Sequence, residues 1–155
     1  MKIGLKFRES IIWHKKNSNV KNTAFGSFKS PSNIILRASH EHILIWSKEQ
    51  WNLPNITEQE PDITKDEFLG WTYSVWSVMN NNNNKANHPA IFPEEIAKRL
   101  IKLYSYPGDL ILDNFNGTGT TTAVANMLGR KYIGIDQNAN YCKYAKERTE
   151  KVIRL

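Results

Sequence analysis

The stretch from Leu110 to Asp136 constrains this chain more than any other. Leu110-Ile111-Leu112 is a short run of branched apolar residues and reads as a buried strand. It runs into Asp113 and the loop Asn114-Phe115-Asn116-Gly117-Thr118-Gly119, then into a helical stretch from Thr120 to Leu128 that Gly129 stops. Tyr132-Ile133-Gly134-Ile135 is a second strand ending at Asp136, and Asn138 or Asn140 caps a final helix to about Leu155. Strand, glycine loop, helix, strand and acid in that order predict a βαβ unit with parallel strands and a right-handed crossover. Gly117 and Gly119 put residues without a Cβ where the backbone bends sharply or a ligand comes close. Asp136, about 20 residues after the loop, is placed to accept both hydrogen bonds of a ribose diol.

A Gly-x-Gly loop alone is often just a turn. Two phosphate-binding readings drop out: no third glycine sits at the dinucleotide-fingerprint spacing, and no Gly-Lys-Ser/Thr is present. With its flanking strand, helix and acid, the loop favours an adenosine crevice at the carboxyl edge of a sheet.

Upstream, Pro93 opens a helix where its missing N–H costs nothing. Ile96, Leu100, Ile101 and Leu103 form its apolar stripe, with Glu94, Glu95, Lys98, Arg99 and Lys102 expected to face water. Tyr106-Pro107-Gly108-Asp109 is a turn. In the first half, Ser10-Ile11-Ile12-Trp13 and His42-Ile43-Leu44-Ile45-Trp46 read as buried strands, with Trp13 and Trp46 in the core. Thr64 is a helix N-cap whose capping box Glu67 completes, and Ser74 to Val78 is a short extended piece. The expected organisation is one domain over 1–155: a sheet hairpin with a long polar loop over 1–79, an Asn-rich linker over 80–87, and a βαβ half over 88–155.

The 155 residues suffice for one domain with a core, and five Trp, six Tyr and six Phe argue against disorder throughout. A formal charge of +6 favours an anionic partner, nucleic acid before an acidic membrane surface; added solubility is the bland alternative. Lys15, Lys16, Lys21, Lys29 and Arg37, in the long polar stretch between the first two strands, suit phosphate contacts as well as they suit a solvated loop. The single Cys142 excludes an internal disulfide and reads as a small packing residue. His14, His40 and His42 lack zinc-site spacing, so no metal is expected. No apolar run approaches the roughly 20 residues that span a bilayer, and the basic start from Met1 to Arg8 has no apolar block after it. No membrane association is expected, and the expected location is cytoplasmic.

Asp113-Asn114-Phe115-Asn116-Gly117-Thr118-Gly119-Thr120-Thr121 resembles the cofactor loop of the N4-cytosine and N6-adenine DNA methyltransferases, usually Asp-Pro-Phe-x-Gly-Ser-Gly-Thr-Thr. His88-Pro89-Ala90-Ile91-Phe92-Pro93 is similar to the same family's His-Pro segment. Arg8 to Trp13, Gly26 to Asn33 and His40 to Lys48 resemble its later sheet region, and Thr64 to Trp76 is also similar to the family. Similarity covers nearly the whole chain, in the order of the permuted subclass whose cofactor half comes last. Asn114 stands where the family has Pro, Asn116 where it has a small or apolar residue, and Thr118 where it has Ser. The family's Pro-Pro-Tyr signature is absent, since no two of the six prolines are adjacent.

The resemblance implies an α/β fold: part of a Rossmann-like, three-layer methyltransferase sheet, mostly parallel with one antiparallel strand pair, its central catalytic strands missing. It implies S-adenosyl-L-methionine as cofactor, held by His88, Pro89, Phe92, Asp113, Asn114, Phe115, Asn116, Gly117, Thr118, Gly119, Thr120, Thr121, Asp136 and Gln137. It implies double-stranded DNA as substrate and methylation of an exocyclic amino group, cytosine N4 before adenine N6, in a restriction-modification system. No residue of this chain is assigned a catalytic role. A separate N-terminal methyltransferase chain is the candidate partner if the enzyme is split; a truncated gene product is the other explanation. Two rivals stand beside this: a non-catalytic cofactor- or DNA-binding subunit, and an RNA or small-molecule methyltransferase using the same crevice.

Overall fold

The computed structural model describes residues 4–16, 26–36, 38–79 and 92–152. They form two compact units: Met1–Glu49 with Tyr73–Asn80, and Gln50–Thr72 with Asn81–Leu155. The Asn run and His88 to Ile91 of the His-Pro segment, with Lys21 and Arg37, lie outside the described residues.

The first unit is a three-stranded sheet. Strands β1 (Leu5–Lys15) and β2 (His40–Lys48) pair antiparallel, and β3 (Val75–Val78) lies parallel on the other side of β1. Alternation along the strands divides the residues between two faces. Ile11, Trp13, Trp76 and Val78 are buried on one face, where the Trp13 indole donates to the Val78 carbonyl at 3.0 Å. Ser10, Ile12 and His14 share the other face with Leu44, His42 and His40. The expected buried strands are thus half-buried and longer than their apolar runs. Trp13 is core, but Trp46 is 50% exposed, edge-on to Phe7 at 5.2 Å between ring centroids. Its register puts Trp46 on the face opposite Trp13, which apolarity in the sequence does not reveal.

The second unit carries α1 (Lys65–Trp71), α2 (Glu94–Tyr104), β4 (Leu110–Asp113), α3 (Thr120–Met127), β5 (Lys131–Gly134) and α4 (Ala139–Glu150). Strands β4 and β5 pair in parallel across α3 as the sequence predicts, with Leu112 opposite Ile133. The core is Ala97 and Ile101 of α2 against Val124 and Ala125 of α3, with Phe92, Ile111, Met127 and Leu128 packed around it. Small residues on α3 let its neighbours approach closely: Thr120, Thr122, Ala123, Val124 and Ala125 are all buried.

Thr64 caps α1 with both bonds of the predicted capping box, Glu67 N–H to Thr64 Oγ1 at 3.2 Å and Thr64 N–H to Glu67 Oε2 at 3.1 Å. Asn138, not Asn140, caps α4, accepting from the Asn140 N–H at 2.9 Å. That helix ends at Glu150, short of the expected Leu155.

The structure corrects three further expectations. Only Ile111 of the β4 run turns to the core; Leu110 and Leu112 are exposed, because a strand alternates faces and, among the described residues of this unit, the helices pack on the Ile111 face. Lys102 does not face water: Glu67 draws it to 2.5 Å and Lys98 to 3.3 Å. Cys142 is exposed rather than packed.

A buried arginine clamps the segment before α1 to the rest of this unit. Arg130, immediately before β5, uses all five of its N–H donors: two on Asp62 at 2.5 and 2.8 Å, and the others on Ser105 Oγ, Ser105 O and Leu128 O.

Candidate functional site

The site is built at the carboxyl ends of β4 and β5, where open α/β sheets bind ligands. Asp113 ends β4 and braces the following loop from below. Its Oδ1 accepts the Phe115 N–H at 3.0 Å and its Oδ2 accepts the Thr121 hydroxyl at 2.6 Å. The loop is also stitched to the second strand, with Asn116 N–H donating to the Ile135 carbonyl at 2.9 Å.

Both loop glycines have left-handed backbones, with φ of 51° at Gly117 and 78° at Gly119. At Gly119 the missing Cβ matters for a second reason. A Cβ there would lie 2.7 Å from the Cβ of Ala145 on α4, so it is protein rather than ligand that comes close.

Asp136 follows β5, and its carboxylate turns into the loop. Oδ2 accepts the Gly117 N–H at 2.9 Å, and Oδ1 accepts the Asn138 N–H at 2.8 Å. An ionised carboxylate has about four acceptor positions. Each oxygen therefore keeps one beyond its backbone donor, and a pair of vicinal hydroxyls needs two.

The residues expected at the cofactor divide by direction. Asp113, Asn114, Phe115, Asp136 and Gln137 line the accessible side, and Phe115 is 85% exposed. Gly117, Thr118, Gly119 and Thr120 are buried. Asn116 points inward: it accepts from the Thr122 hydroxyl at 3.2 Å, and its amide fills the space beside Gly134. Phe92 packs on the core. Of the described cationic residues expected at DNA, Lys16 and Lys29 are exposed, whereas Lys15 pairs with Glu41 and lies over the Trp13 ring.

Three supporting residues escaped the sequence reading. Arg148 of α4 reaches the Thr118 carbonyl and the Thr120 hydroxyl, each at 3.2 Å, and pairs with Glu94 at 2.5 Å, tying loop, α2 and α4 together. Thr122 bonds both Asn116 and Thr149. Gly134 is the third, since a Cβ there would meet Asn116 at 2.4 Å. A glycine inside a strand pattern signals such close approach; nothing local flagged Arg148, whose partners lie on other elements.

The model of the N6/N4 DNA methylase family matches residues 1–147. The chain belongs to that family. Within it, the type II methyltransferase M.MthZI of Methanothermobacter thermautotrophicus is 34% identical over 160 aligned residues, covering 94% of this chain and 44% of the relative. The type II methyltransferase M.MjaI of Methanocaldococcus jannaschii is 36% identical over 144, covering 87% and 46%. A protein of Thermus thermophilus designated a DNA modification methylase, solved in complex with S-adenosyl-L-methionine, superposes with a TM-score of 0.73. It is 28% identical, over 97% of this chain and 55% of its own. The chain therefore spans about half the length of the curated relatives it matches. Its fold is that of part of a Rossmann-like methyltransferase.

Proposed function

We propose that this chain is the S-adenosyl-L-methionine-binding portion of a site-specific DNA methyltransferase of a restriction-modification system. The acceptor is the exocyclic amino nitrogen of cytosine (N4) or adenine (N6). The observation that carries the reading is the Asp136 carboxylate, turned into the glycine loop with one acceptor position left on each oxygen. Family membership supports it, as does the cofactor in the Thermus thermophilus complex.

S-adenosyl-L-methionine, when bound, supplies an electrophilic sulfonium methyl. In this reading Asp136 and Gln137 hold its sugar, and the backbone of Gly117 to Thr120 gives the loop its contour. Asp113 fixes the loop through Phe115 and Thr121, and the segment from His88 to Phe92 meets the amino-acid end. This chain's role is then to position and to exclude water.

The amino group of cytosine or adenine is a poor nucleophile because its lone pair is conjugated into the ring. Acceptors that orient it, and an aromatic residue that stacks on the flipped base, are needed for transfer. With no adjacent prolines among these 155 residues, the proposal assigns that task to a Pro-Pro-aromatic segment beyond them, in the same polypeptide or in a partner. The same absence favours a second reading, a non-catalytic subunit that holds cofactor or DNA.

Calorimetric titration with S-adenosyl-L-methionine is the test. The folded chain should bind, and Asp136→Ala should weaken binding by about tenfold or more, as loss of two hydrogen bonds to a charged acceptor implies. A folded chain that binds no cofactor overturns the proposal. Labelled methyl transfer to DNA, with and without a separately made catalytic segment, then separates the two readings. Transfer only on mixing supports the enzyme, and identifying the methylated base by hydrolysis decides between N4 and N6. Cofactor binding that never leads to transfer supports the subunit.

A further inference from the structure

Two chain segments are given to the cofactor, and they lie apart in sequence. The glycine loop runs from Asp113 to Thr121, while the segment from His88 to Phe92 ends two residues before Glu94, the first residue of α2. A ligand that is a nucleoside at one end and an amino acid at the other needs both segments at a fixed separation. Arg148 of α4 touches the loop and the first residue of α2 together.

The base of that side chain is rigid. The next residue, Thr149, is 2% exposed. Its hydroxyl donates to the Ala145 carbonyl at 2.8 Å and meets the Thr122 hydroxyl of α3 at 3.3 Å, and its carbonyl accepts from the Asn126 side-chain amide at 3.0 Å. Ala145, three residues before Arg148, is the residue that a Cβ at Gly119 would strike. The end of α4 is therefore fixed against α3 and the loop independently of the guanidinium.

From that base the guanidinium works as a fork. Nη1 donates to the Thr118 carbonyl and the Thr120 hydroxyl, and Nη2 donates to Glu94 Oε1. The Thr118–Gly119 peptide is held at both ends, since the Gly119 N–H donates to the Asn116 carbonyl at 2.8 Å. A planar guanidinium sets the angle between its nitrogens, so loop and carboxylate are held in one relation; an ammonium sets no such angle. The Glu94 side chain is 60% exposed. A pair so open to water adds little to folding, and what it fixes is direction.

We infer, resting on the proposed function, that Arg148 is a positioning residue for the cofactor and that it reaches the amino-acid end through Glu94. Releasing Glu94 frees the start of α2 but leaves both loop bonds in place, so the amino-acid end alone loses its support. Removing the fork disturbs both ends.

The test is calorimetric titration of the full chain with two ligands. One is S-adenosyl-L-methionine; the other is 5′-methylthioadenosine, which keeps the nucleoside and the sulfur and lacks the amino-acid group. Glu94→Ala should weaken S-adenosyl-L-methionine binding about fivefold, the upper range for an exposed pair, and 5′-methylthioadenosine binding by under about twofold. Glu94→Gln should show the same split to a smaller extent. Arg148→Ala should weaken both ligands by about tenfold, as loss of two hydrogen bonds to the loop implies. In that background Glu94→Ala should lower S-adenosyl-L-methionine affinity no further, because its partner has gone. Arg148→Lys keeps the charge without the fork and should still bind S-adenosyl-L-methionine more weakly than wild type.

A merely structural role would give equal losses for the two ligands in every variant, in step with the melting temperature, and would overturn the inference. A Glu94→Ala protein with wild-type affinity for S-adenosyl-L-methionine would do the same, as would a further loss in the double variant. Wild type that binds S-adenosyl-L-methionine but not 5′-methylthioadenosine also overturns it, since no nucleoside half is then left to be spared. Wild type that binds neither ligand removes the proposed function and the inference together, which sets that failure apart from the others.

Discussion

Arg130 and Asp62 show how one residue pair fixes a segment that has almost no core of its own. Burial by itself raises the Asp62 carboxyl, but the guanidinium bonded to it, with Lys102 beyond, holds it below its ordinary value. Asp62→Ala leaves a fully buried cation without its counter-charge, and the expected loss is about 3–5 kcal/mol in urea unfolding. Arg130→Met, which removes the charge and keeps the volume, should cost markedly less; equal losses would mean that packing, not charge, decides. Gly119→Ala is argued differently. It meets both a φ of 78° and the backbone of Ala145, so it should cost about 2 kcal/mol or more and weaken S-adenosyl-L-methionine binding through the displaced loop. A stable variant with unchanged cofactor affinity would show that the loop tolerates the shift. Among these residues the glycines and Asp136 were readable in sequence, because turns and strand ends impose residue types locally. Arg130 was not, since its partner lies 68 positions away.

At the scale of elements, helix starts were the most legible, because an N-cap is a contact between residues two or three apart. The Thr64–Glu67 box and the Asn138 cap both follow from that range. The crossover from β4 through α3 to β5 was legible too, from the change in apolar periodicity. What the sequence concealed is how α1 meets α2. Glu67 serves as capping residue and as counter-charge to Lys98 and Lys102, whose ammonium groups, with the Arg99 guanidinium, also gather over the Trp71 ring. Burial would raise the Glu67 carboxyl; the bonds from Lys102, the Thr64 N–H and Lys98 outweigh it and pull it down from 4.5 to about 2. A carboxylate depressed in the folded state stabilises above its unfolded value and loses that contribution as pH falls toward the folded one. The melting temperature should thus be insensitive to Glu67 above pH 4.5 and fall between there and about 2. Glu67→Gln should melt lower at neutral pH and show a shallower acid decline. An unchanged acid profile would assign the decline to other carboxylates, Asp62 first.

For the whole molecule, the informative feature is a sheet covered on one face. Parallel strands occur almost only where both faces are buried, yet Leu110, Leu112, Ile133 and Ile135 are all exposed, with Leu112 at 62% and its partner Ile133 beside it. Four branched apolar side chains in two short runs normally mean two-sided burial, which is why β4 reads as a buried strand in sequence. Such side chains do require cover, and within the described residues of this unit the requirement is unmet. The consequence is measurable. Apolar side chains that stay in water contribute nothing to folding and favour association. The double substitution Leu112→Thr with Ile133→Thr leaves a β-branched residue at both positions and removes two of the four side chains of the patch. It should leave the urea midpoint nearly unchanged while lowering weight-average mass in concentrated solution and reducing binding of an apolar dye. Adding a separately made catalytic segment should protect the same face in the wild type, seen as slowed amide exchange in β4 and β5, and the double variant should bind that segment less tightly. A large fall in the urea midpoint of the isolated variant would show instead that these four side chains are already packed, and that the second unit is complete without a partner for its sheet.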